Sequence, residues 1–362
     1  MTFLPSESGT WRLEGDGFTV EQLRVPAPQL HIRECSVYLL TAGAERLLVD
    51  CAPADDPSWP ALEAELGRRG LGPDAIGTVL LTHAHPDHYG NAERFQAAGA
   101  SVVLHRSDLE FHRRRNGDQA GYRERTLAWL GTQGVPDEER REWVAARMEK
   151  LSSRPLRPDV LVDGGETIPL GRLRLRLEWT PGHTPGHLVI HEDARHLLFL
   201  GDHVLPTASP NIGIDQDNPG NPLPGYLSSL ADLVERPELI ALPGHGHVFD
   251  LTARGRQILE HQEERGRRVL RAVEAGARTA WEVRPFAWDD ATWAGLGRGL
   301  RVNAIRTLAA HLERLAGLGL LVRDEAGGRS TPGLVRWRPA GDGNGDEVAG
   351  PGEAASDAAE HD

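Results

Sequence analysis

Leu80-Leu81-Thr82-His83-Ala84-His85-Pro86-Asp87-His88-Tyr89-Gly90 places three imidazoles and a carboxylate within six positions, directly behind an apolar run from Ile76 to Leu81 that reads as a buried strand. Side chains alternate along an extended chain, so a strand stopping at Thr82 leaves His83 and His85 on the same side. Asp87 and His88 fall where the chain turns into the next helix. Neutral imidazole and carboxylate are the usual ligands of zinc-like ions, and this cluster carries both. The spacing predicts two histidines on one ion and an Asp-His pair on a neighbouring one; a histidine-rich surface loop is the plain alternative.

Further ligand types recur downstream in the same kind of place. Thr180-Pro181-Gly182-His183-Thr184-Pro185-Gly186-His187 follows an alternating strand from Leu173 to Leu177, which sets His183 on a Gly/Pro turn. Gly201-Asp202 follows the apolar strand Leu197 to Leu200, and Pro243-Gly244-His245-Gly246 follows Leu239 to Leu242. The glycines let the backbone pass close to an ion. Four strand ends are therefore expected to converge on one edge of a sheet assembly.

The ordered pattern HxHxDH, then H, then D, then H resembles that of the metallo-β-lactamase superfamily over roughly residues 30 to 250. The resemblance implies an α/β fold, the αββα sandwich, and a ligand set. His83, His85 and His183 would hold the first metal, Asp87, His88 and His245 the second, and Asp202 would bridge them. The pattern is similar to that of hydroxyacylglutathione hydrolases (the glyoxalase II branch) and related thioesterases. Class B β-lactamases put a cysteine where Asp202 stands. Val49-Asp50-Cys51-Ala52 occupies the place where relatives read IDTG, which implies that Asp50 orients a metal-binding imidazole. Ala52 in place of the glycine leaves the local turn as the point of departure.

Two divalent ions about 3.5 to 4 Å apart hold one water between them and lower its pKa toward neutrality. A metal-bridging hydroxide then attacks a carbonyl or phosphorus without a protein nucleophile. No Gly-x-Ser-x-Gly elbow is present, which sets aside a Ser-His-Asp hydrolase. The favoured expectation is hydrolysis of a thioester or ester on a small molecule. Asp87 doubles as the catalytic proton relay, and the metals are zinc, with iron or manganese accepted by the same donors. RNA phosphodiester cleavage, a lactonase, an iron-dependent sulfur dioxygenase and a non-enzymatic nucleic-acid-binding regulator are the alternatives.

Other residues near the motifs carry weaker expectations. His187 reads as structural, and His203 and His247 point away from the ligands they flank. His105, His112, His191, His196 and His261 have no motif context. In the loop from Leu205 to Tyr226, expected to pass over the metals, Asn211 or Tyr226 is a candidate hydrogen-bond donor to an oxyanion. A charged, helical insertion, about residues 108–157, is expected to shape the substrate pocket. Trp129, Trp143 and Met148 with Leu127, Leu130 and Val144 are its candidate apolar wall, unless they serve a plain helix–helix contact. Arg113-Arg114-Arg115 is either a grip for coenzyme A-like phosphates or a solvated charge run.

At 362 residues the chain is long enough for two cores. Cys35 and Cys51 cannot make a disulfide framework. No basic leader followed by an apolar stretch and no long apolar run appears, so a cytoplasmic location without a membrane segment is expected. The net charge of −13 divides into −12 over residues 1–252, +6 over 253–340 and −7 over 341–362. The first segment reads as the catalytic domain. The last is rich in Gly, Ala and acid and is expected to be a disordered tail.

Residues 253–340 read as three helices and a hairpin. The expected helices run from Leu259 to about Ala275, near Thr279 to Val283, and from Arg301 with the apolar stripe Val302, Ile305, Leu308, Leu312 and Leu315. The hairpin pairs Leu320–Arg323 with Leu334–Trp337 across a turn at Gly327-Gly328. This resembles a C-terminal winged-helix domain, found on some hydrolases of the same fold. Its Arg301, Arg306, Arg314, Arg329, Arg336 and Arg338 make a phosphate-contacting surface conceivable. The acidic catalytic domain opposes nucleic acid and favours a module that packs beside the active-site mouth or supports a homodimer.

Overall fold

The structure, a computed structural model, describes residues 2–5, 11–28, 33–149, 151, 154–217, 220–326 and 333–341. The Gly327-Gly328 turn, Arg329 and the acidic tail beyond Gly341 lie outside the described residues.

The first sheet takes eight strands in chain order: β1 (Thr2–Pro5), β2 (Trp11–Gly15), β3 (Phe18–Pro26), β4 (Glu34–Ala42), β5 (Glu45–Val49), β6 (Thr78–Leu80), β7 (Ser101–His105) and β8 (Val160–Val162). It is antiparallel through β5 and parallel from β5 to β8. The second sheet has the order β13-β12-β11-β10-β9, from β9 (Thr167–Leu170), β10 (Leu173–Trp179), β11 (Leu188–Glu192), β12 (Leu197–Gly201) and β13 (Ile240–Pro243).

Alternation along these strands builds the layers. In β4, Val37 and Leu39 face one core with Leu62, Leu66 and Phe95 from helices α1 (Ser58–Gly67) and α3 (Ala92–Ala97). Tyr38 and Leu40 face the other way, against Leu175, Leu177, Ile190 and Phe199 of the second sheet. In β12, Leu197 and Phe199 point inward while Leu198 and Leu200 meet a third layer with Leu230, Leu233 and Ile258. Those last residues belong to α7 (Leu223–Val234) and α8 (Leu251–Glu274). Period-two side chains with both faces buried give helix, sheet, sheet, helix, the expected αββα sandwich.

Four helices, not three, precede the C-terminal hairpin among the described residues: α8, α9 (Ala280–Ala287), α10 (Asp290–Gly295) and α11 (Arg298–Gly317). α8 starts eight residues before the expected Leu259, because Asp250 caps it by accepting from the Ala253 N–H at 2.9 Å. Thr279 and Glu282 form a reciprocal capping box for α9. The hairpin pairs β14 (Leu321–Ala326) with β15 (Leu334–Pro339).

The insertion contributes α4 (Arg106–His112), α5 (Gln119–Thr132) and α6 (Asp137–Met148), with α2 (Pro86–Tyr89) preceding α3. The six residues expected as its apolar wall pack into a helical core, whereas Leu109 and Phe111 of the same insertion stand on the wall of a cleft. Leu130, Trp143 and Val144 are buried in one core with Val269, Val302, Ile305 and Leu308, and Leu127, Trp129 and Met148 pack against it. The helix–helix alternative is the observed one: insertion and C-terminal helices are a single packed unit. The expected single stripe of α11 is also corrected. Ala304, Arg306, Thr307, Ala310 and His311 are buried as well, because α11 runs between α6, α7 and α8.

Candidate metal centre

His83 follows the end of β6, and Pro86 opens α2 at a position that needs no backbone donor, which aims Asp87 and His88 from its first turn. His183 lies on the β10–β11 loop, Asp202 directly after β12, and His245 two residues after β13. Backbone bonds lock these ends together: Leu188 N–H donates to Thr82 O at 2.8 Å, and Gly244 N–H donates to Gly201 O at 2.8 Å.

All seven expected positions meet in one place. His85 Nδ1 lies 3.0 Å from His83 Nε2 and 2.9 Å from His183 Nε2. Asp202 divides its oxygens: Oδ2 lies 3.5 Å from His183 Nε2, while Oδ1 lies 3.5 Å from His88 Nε2 and 3.4 Å from His245 Nε2. Asp87 Oδ2 lies 3.3 Å from His245 Nε2 and 3.7 Å from His88 Nε2.

Divalent ions fit this set. His88 Nε2 and Asp202 Oδ1 are buried without a hydrogen-bond partner and aim into the cluster. Gly244 leaves the room: a Cβ there would stand 2.7 Å from His88 Cε1 and 2.8 Å from Asp202 Oδ1.

The electrostatics split the site in two. Burial and the neighbouring imidazoles hold His83 and His85 well below the usual histidine range, and burial lowers His183 too. Burial would also lower His88, yet Asp50, Asp202 and Asp87 outweigh it and raise its pKa to about 9. His245 is likewise driven up by Asp202 and Asp87 against burial. Protons thus sit among the carboxylates where a cation would replace them, so ion binding there must release protons.

The supporting residues are equally fixed. Asp50, at φ 61°, accepts from Thr82 N–H at 2.8 Å and places Oδ2 2.8 Å from His88 Nδ1. Ala52 keeps a left-handed φ of 59° where the family pattern reads glycine. Asn91 Nδ2 secures that turn by donating to Cys51 O and Pro53 O, both at 2.8 Å. The Asn211 carbonyl faces His183 Nδ1 at 3.3 Å, and the Glu34 carbonyl faces His245 Nδ1 at 2.6 Å. His187 is fully buried, with Nε2 accepting from Asp202 N–H at 3.1 Å. His203 is buried beside Ser229, and His247 is exposed.

Tyr226 is removed from the oxyanion role. It lies on α7, fully buried, and donates to His203 O at 3.1 Å. Asn211 stays beside His183 and lines the adjoining cavity.

Two residues near the site carry no motif. The ligating atoms of Cys35, Asp87 and His245 lie within 4.8 Å of one another. Burial raises the Cys35 thiol to about 12. Asp108, fully buried on α4, accepts from Ala84 N–H at 2.7 Å and Thr184 Oγ1 at 2.8 Å, stapling the first ligand loop to that of His183. An aspartate at the head of an insertion helix and a cysteine opening a strand give no local signal of this proximity.

A cleft of about 810 Å³ opens beyond the centre, with Leu109, Phe111, Leu161 and Trp179 on its wall and Arg106, Arg113 and Arg114 among its lining. Phe111, Gly182 and Pro185 also line a cavity of about 100 Å³ that reaches His85 and His183. No helix among the described residues is long and apolar enough to cross a membrane.

Comparison with known proteins agrees with this geometry. A metallo-beta-lactamase family protein from Thermus thermophilus is 30% identical, with a TM-score of 0.73 over 88% of this chain and 98% of that one. A beta-lactamase domain protein from Burkholderia ambifaria shares the fold at 24% identity and a TM-score of 0.69, over 93% of this chain and 97% of that one. Among curated proteins, an acyl-coenzyme A thioesterase from Gallus gallus is 29% identical over 50% of this chain and 60% of its own length. An atrochrysone carboxyl ACP thioesterase from Aspergillus fumigatus is 24% identical over 68% and 62%, respectively. The chain spans about three fifths of the length of the first curated relatives it matches. The model of the metallo-beta-lactamase superfamily matches residues 32–245, ending on the last histidine of the cluster, and the chain belongs to that superfamily.

Proposed function

We propose that the chain is a dinuclear metal-dependent hydrolase that cleaves a thioester or ester. The carrying observation is the divided carboxylate of Asp202, one oxygen toward His183 and the other toward His88 and His245. In this reading His83, His85 and His183 hold one ion, Asp87, His88 and His245 the other, and Asp202 belongs to both. Two divalent ions, zinc first and iron or manganese next, supply Lewis-acid chemistry that activates water at neutral pH and polarises the electrophile.

The chain's own residues do the rest. Asp50 fixes the ring of His88, and the Asn211 carbonyl fixes that of His183, so neither imidazole reorganises during turnover. Asp87, kept ionised by His88 and His245 despite burial, is an acceptor that would orient the attacking water and relay its proton to the leaving thiolate or alkoxide. The products are a carboxylic acid and a thiol or alcohol. The wide apolar cleft suits an acyl or pantetheine-like chain, and the two thioesterase names among the relatives support the same bond.

Nucleic-acid binding by the C-terminal unit finds less support. Arg306 is buried, Arg314 pairs with Glu263 at 2.6 Å, and Arg338 pairs with Asp324 at 3.2 Å.

Elemental analysis of the purified protein, followed by turnover on acyl thioesters, lactones and a labelled single-stranded RNA, tests the proposal. Two equivalents of metal with thioester cleavage are expected. A metal-free, inert protein would overturn it, and cleavage of RNA alone would replace the substrate class.

A further inference from the structure

Beside the imidazoles of His85 and His183, the small cavity is lined by Arg115, Arg147 and Arg306 against one carboxylate, Asp215. That is a surplus of two positive charges in an enclosed space, and the net acidity of the chain makes it stand out. Arg306, 3% exposed, is held by Asp215 at 2.8 Å and donates Nη2 to Gln216 Oε1 and, at 3.4 Å, to Tyr122 Oη, while Arg147, 8% exposed, donates to Tyr122 Oη at 2.7 Å and Asn303 Oδ1 at 2.9 Å. These bonds anchor the two guanidiniums but leave donors over. Arg306 Nε and Arg115 Nε are buried and have no partner.

Arg115 has no carboxylate within ion-pair distance among the described residues. It lies over the rings of Phe111 and Tyr122 and brings Nη1 to 3.4 Å from His85 Nε2. Nδ1 of His85 is the nitrogen that faces the cluster, and a neutral ring that holds an ion there carries its proton on Nε2. Donor then faces donor, and the guanidinium is left to seek an acceptor. A π-helical turn at Arg113–Gly117 swings Arg115 inward while Arg113 and Arg114 stay at the outer cleft. Such turns recur at functional sites. The field is strong enough to act on Tyr122: burial opposes ionisation, but the three guanidiniums outweigh it and bring the phenol to about 7.

We propose that this cavity is an anion subsite, and that the substrate's acyl portion carries a carboxylate or phosphate bound by Arg115, Arg147 and Arg306. Guanidinium forks match the paired oxygens of both groups. The position sets the chemistry of the substrate. An anion touching Arg115 is one imidazole ring away from the reacting centre, so it lies on the acyl group, close to the bond that breaks. The phosphates of a coenzyme A-like leaving group are separated from the thioester by the whole pantetheine arm and cannot reach. The outer cleft with Arg106, Arg113 and Arg114 is the place for them. A short dicarboxylic or phosphorylated acyl group fits the cavity of about 100 Å³.

The substrate assignment rests on the hydrolase reading; the anion site does not, so the test separates them. On the metal-loaded full chain, kcat/KM is compared for succinyl and butyryl thioesters of the same thiol, in wild type and Arg115→Gln. Succinate and inorganic phosphate are titrated calorimetrically into both proteins, and the ultraviolet phenolate band of Tyr122 is followed during the titration. The expected result is a preference of about 100-fold for the succinyl ester, falling below about 10-fold in the variant. Anion binding should weaken at least about 10-fold in R115Q, and the phenolate band should recede as the anion fills the site.

Tighter succinate marks the carboxylate as the natural group, and tighter phosphate marks a phosphorylated acyl chain. Arg115-dependent anion binding without any turnover would remove the hydrolase reading and leave the subsite standing. Equal turnover of the two esters, with equal anion binding in wild type and variant, would overturn the subsite while leaving the hydrolase intact.

Discussion

Asp202 is the residue on which the proposed two-ion arrangement turns, because its oxygens address different imidazoles and, among the described residues, no second carboxylate touches both groups. Asp202→Ala should reduce bound metal from about two equivalents to about one and lower turnover at least about 1,000-fold. Elemental analysis beside steady-state rates checks this, and an active variant with full metal content would refute the bridging role. Tyr122 supplies a pH signature away from the ligands. Folding brings its phenol from the ordinary 10.0 to about 7, facing Arg306, Arg147 and Arg115 with Asp215 opposing them. The folded chain therefore binds fewer protons than the unfolded one between those values, so this contribution to stability is fully present above pH 10 and is lost as pH falls through 7. Denaturant unfolding of wild type and Tyr122→Phe should show a stability difference that grows from pH 7 to pH 9; parallel curves would deny the shift. Among single residues, legibility in the sequence follows locality. Each of the seven clustered residues stands just past an apolar strand, which chain order displays. Cys35, Asp108 and Arg306 come to the site only through strand pairing and helix packing, which chain order does not.

At the scale of elements, the strand ends approach so closely that one of them admits no side chain. Gly244→Ala would put a methyl 2.7 Å from His88 Cε1 and 2.8 Å from Asp202 Oδ1. The variant should fold, since the β13 ladder lies before it, yet bind metal at least about 10-fold more weakly. Competition with a chromophoric chelator measures this; unchanged affinity would show that the loop relaxes freely. Element types were legible wherever periodicity was strong, as in β12 and α11, and ends were legible where a cap stood, as at Thr279. α8 was read eight residues short because its first two turns, Leu251 to Ile258, carry two arginines and little apolar pattern. Periodicity and turn signals in the C-terminal segment gave the hairpin strands and three of the four helices. The pattern gave no hint that α10 would intervene or that α11 would turn a guanidinium inward.

At the scale of the molecule, the division into a catalytic domain and an appended module is less sharp than composition suggests. The core around Trp143 and Leu308 is built from the insertion and the C-terminal helices together. A chain ended after Asp250 should leave Leu130, Trp143 and Val144 uncovered and fail to give a soluble monomer that melts cooperatively. Leu308→Ala in the full chain should cost about 2 to 5 kcal/mol. Chemical denaturation measures the second, and a well-behaved 1–250 fragment would contradict the first. Charge segregation reflected the chain's linear order, whereas the packing joins segments more than 150 residues apart.

The placement of Arg306 on α11 also orders events in time. A ribosome delivers the His-rich ligand loops first and the helix that completes their neighbouring cavity last. A chain interrupted between residues 246 and 305 carries every proposed metal ligand in its sequence and still lacks the third guanidinium. The proposed anion subsite is thereby a property only of chains that extend through α11.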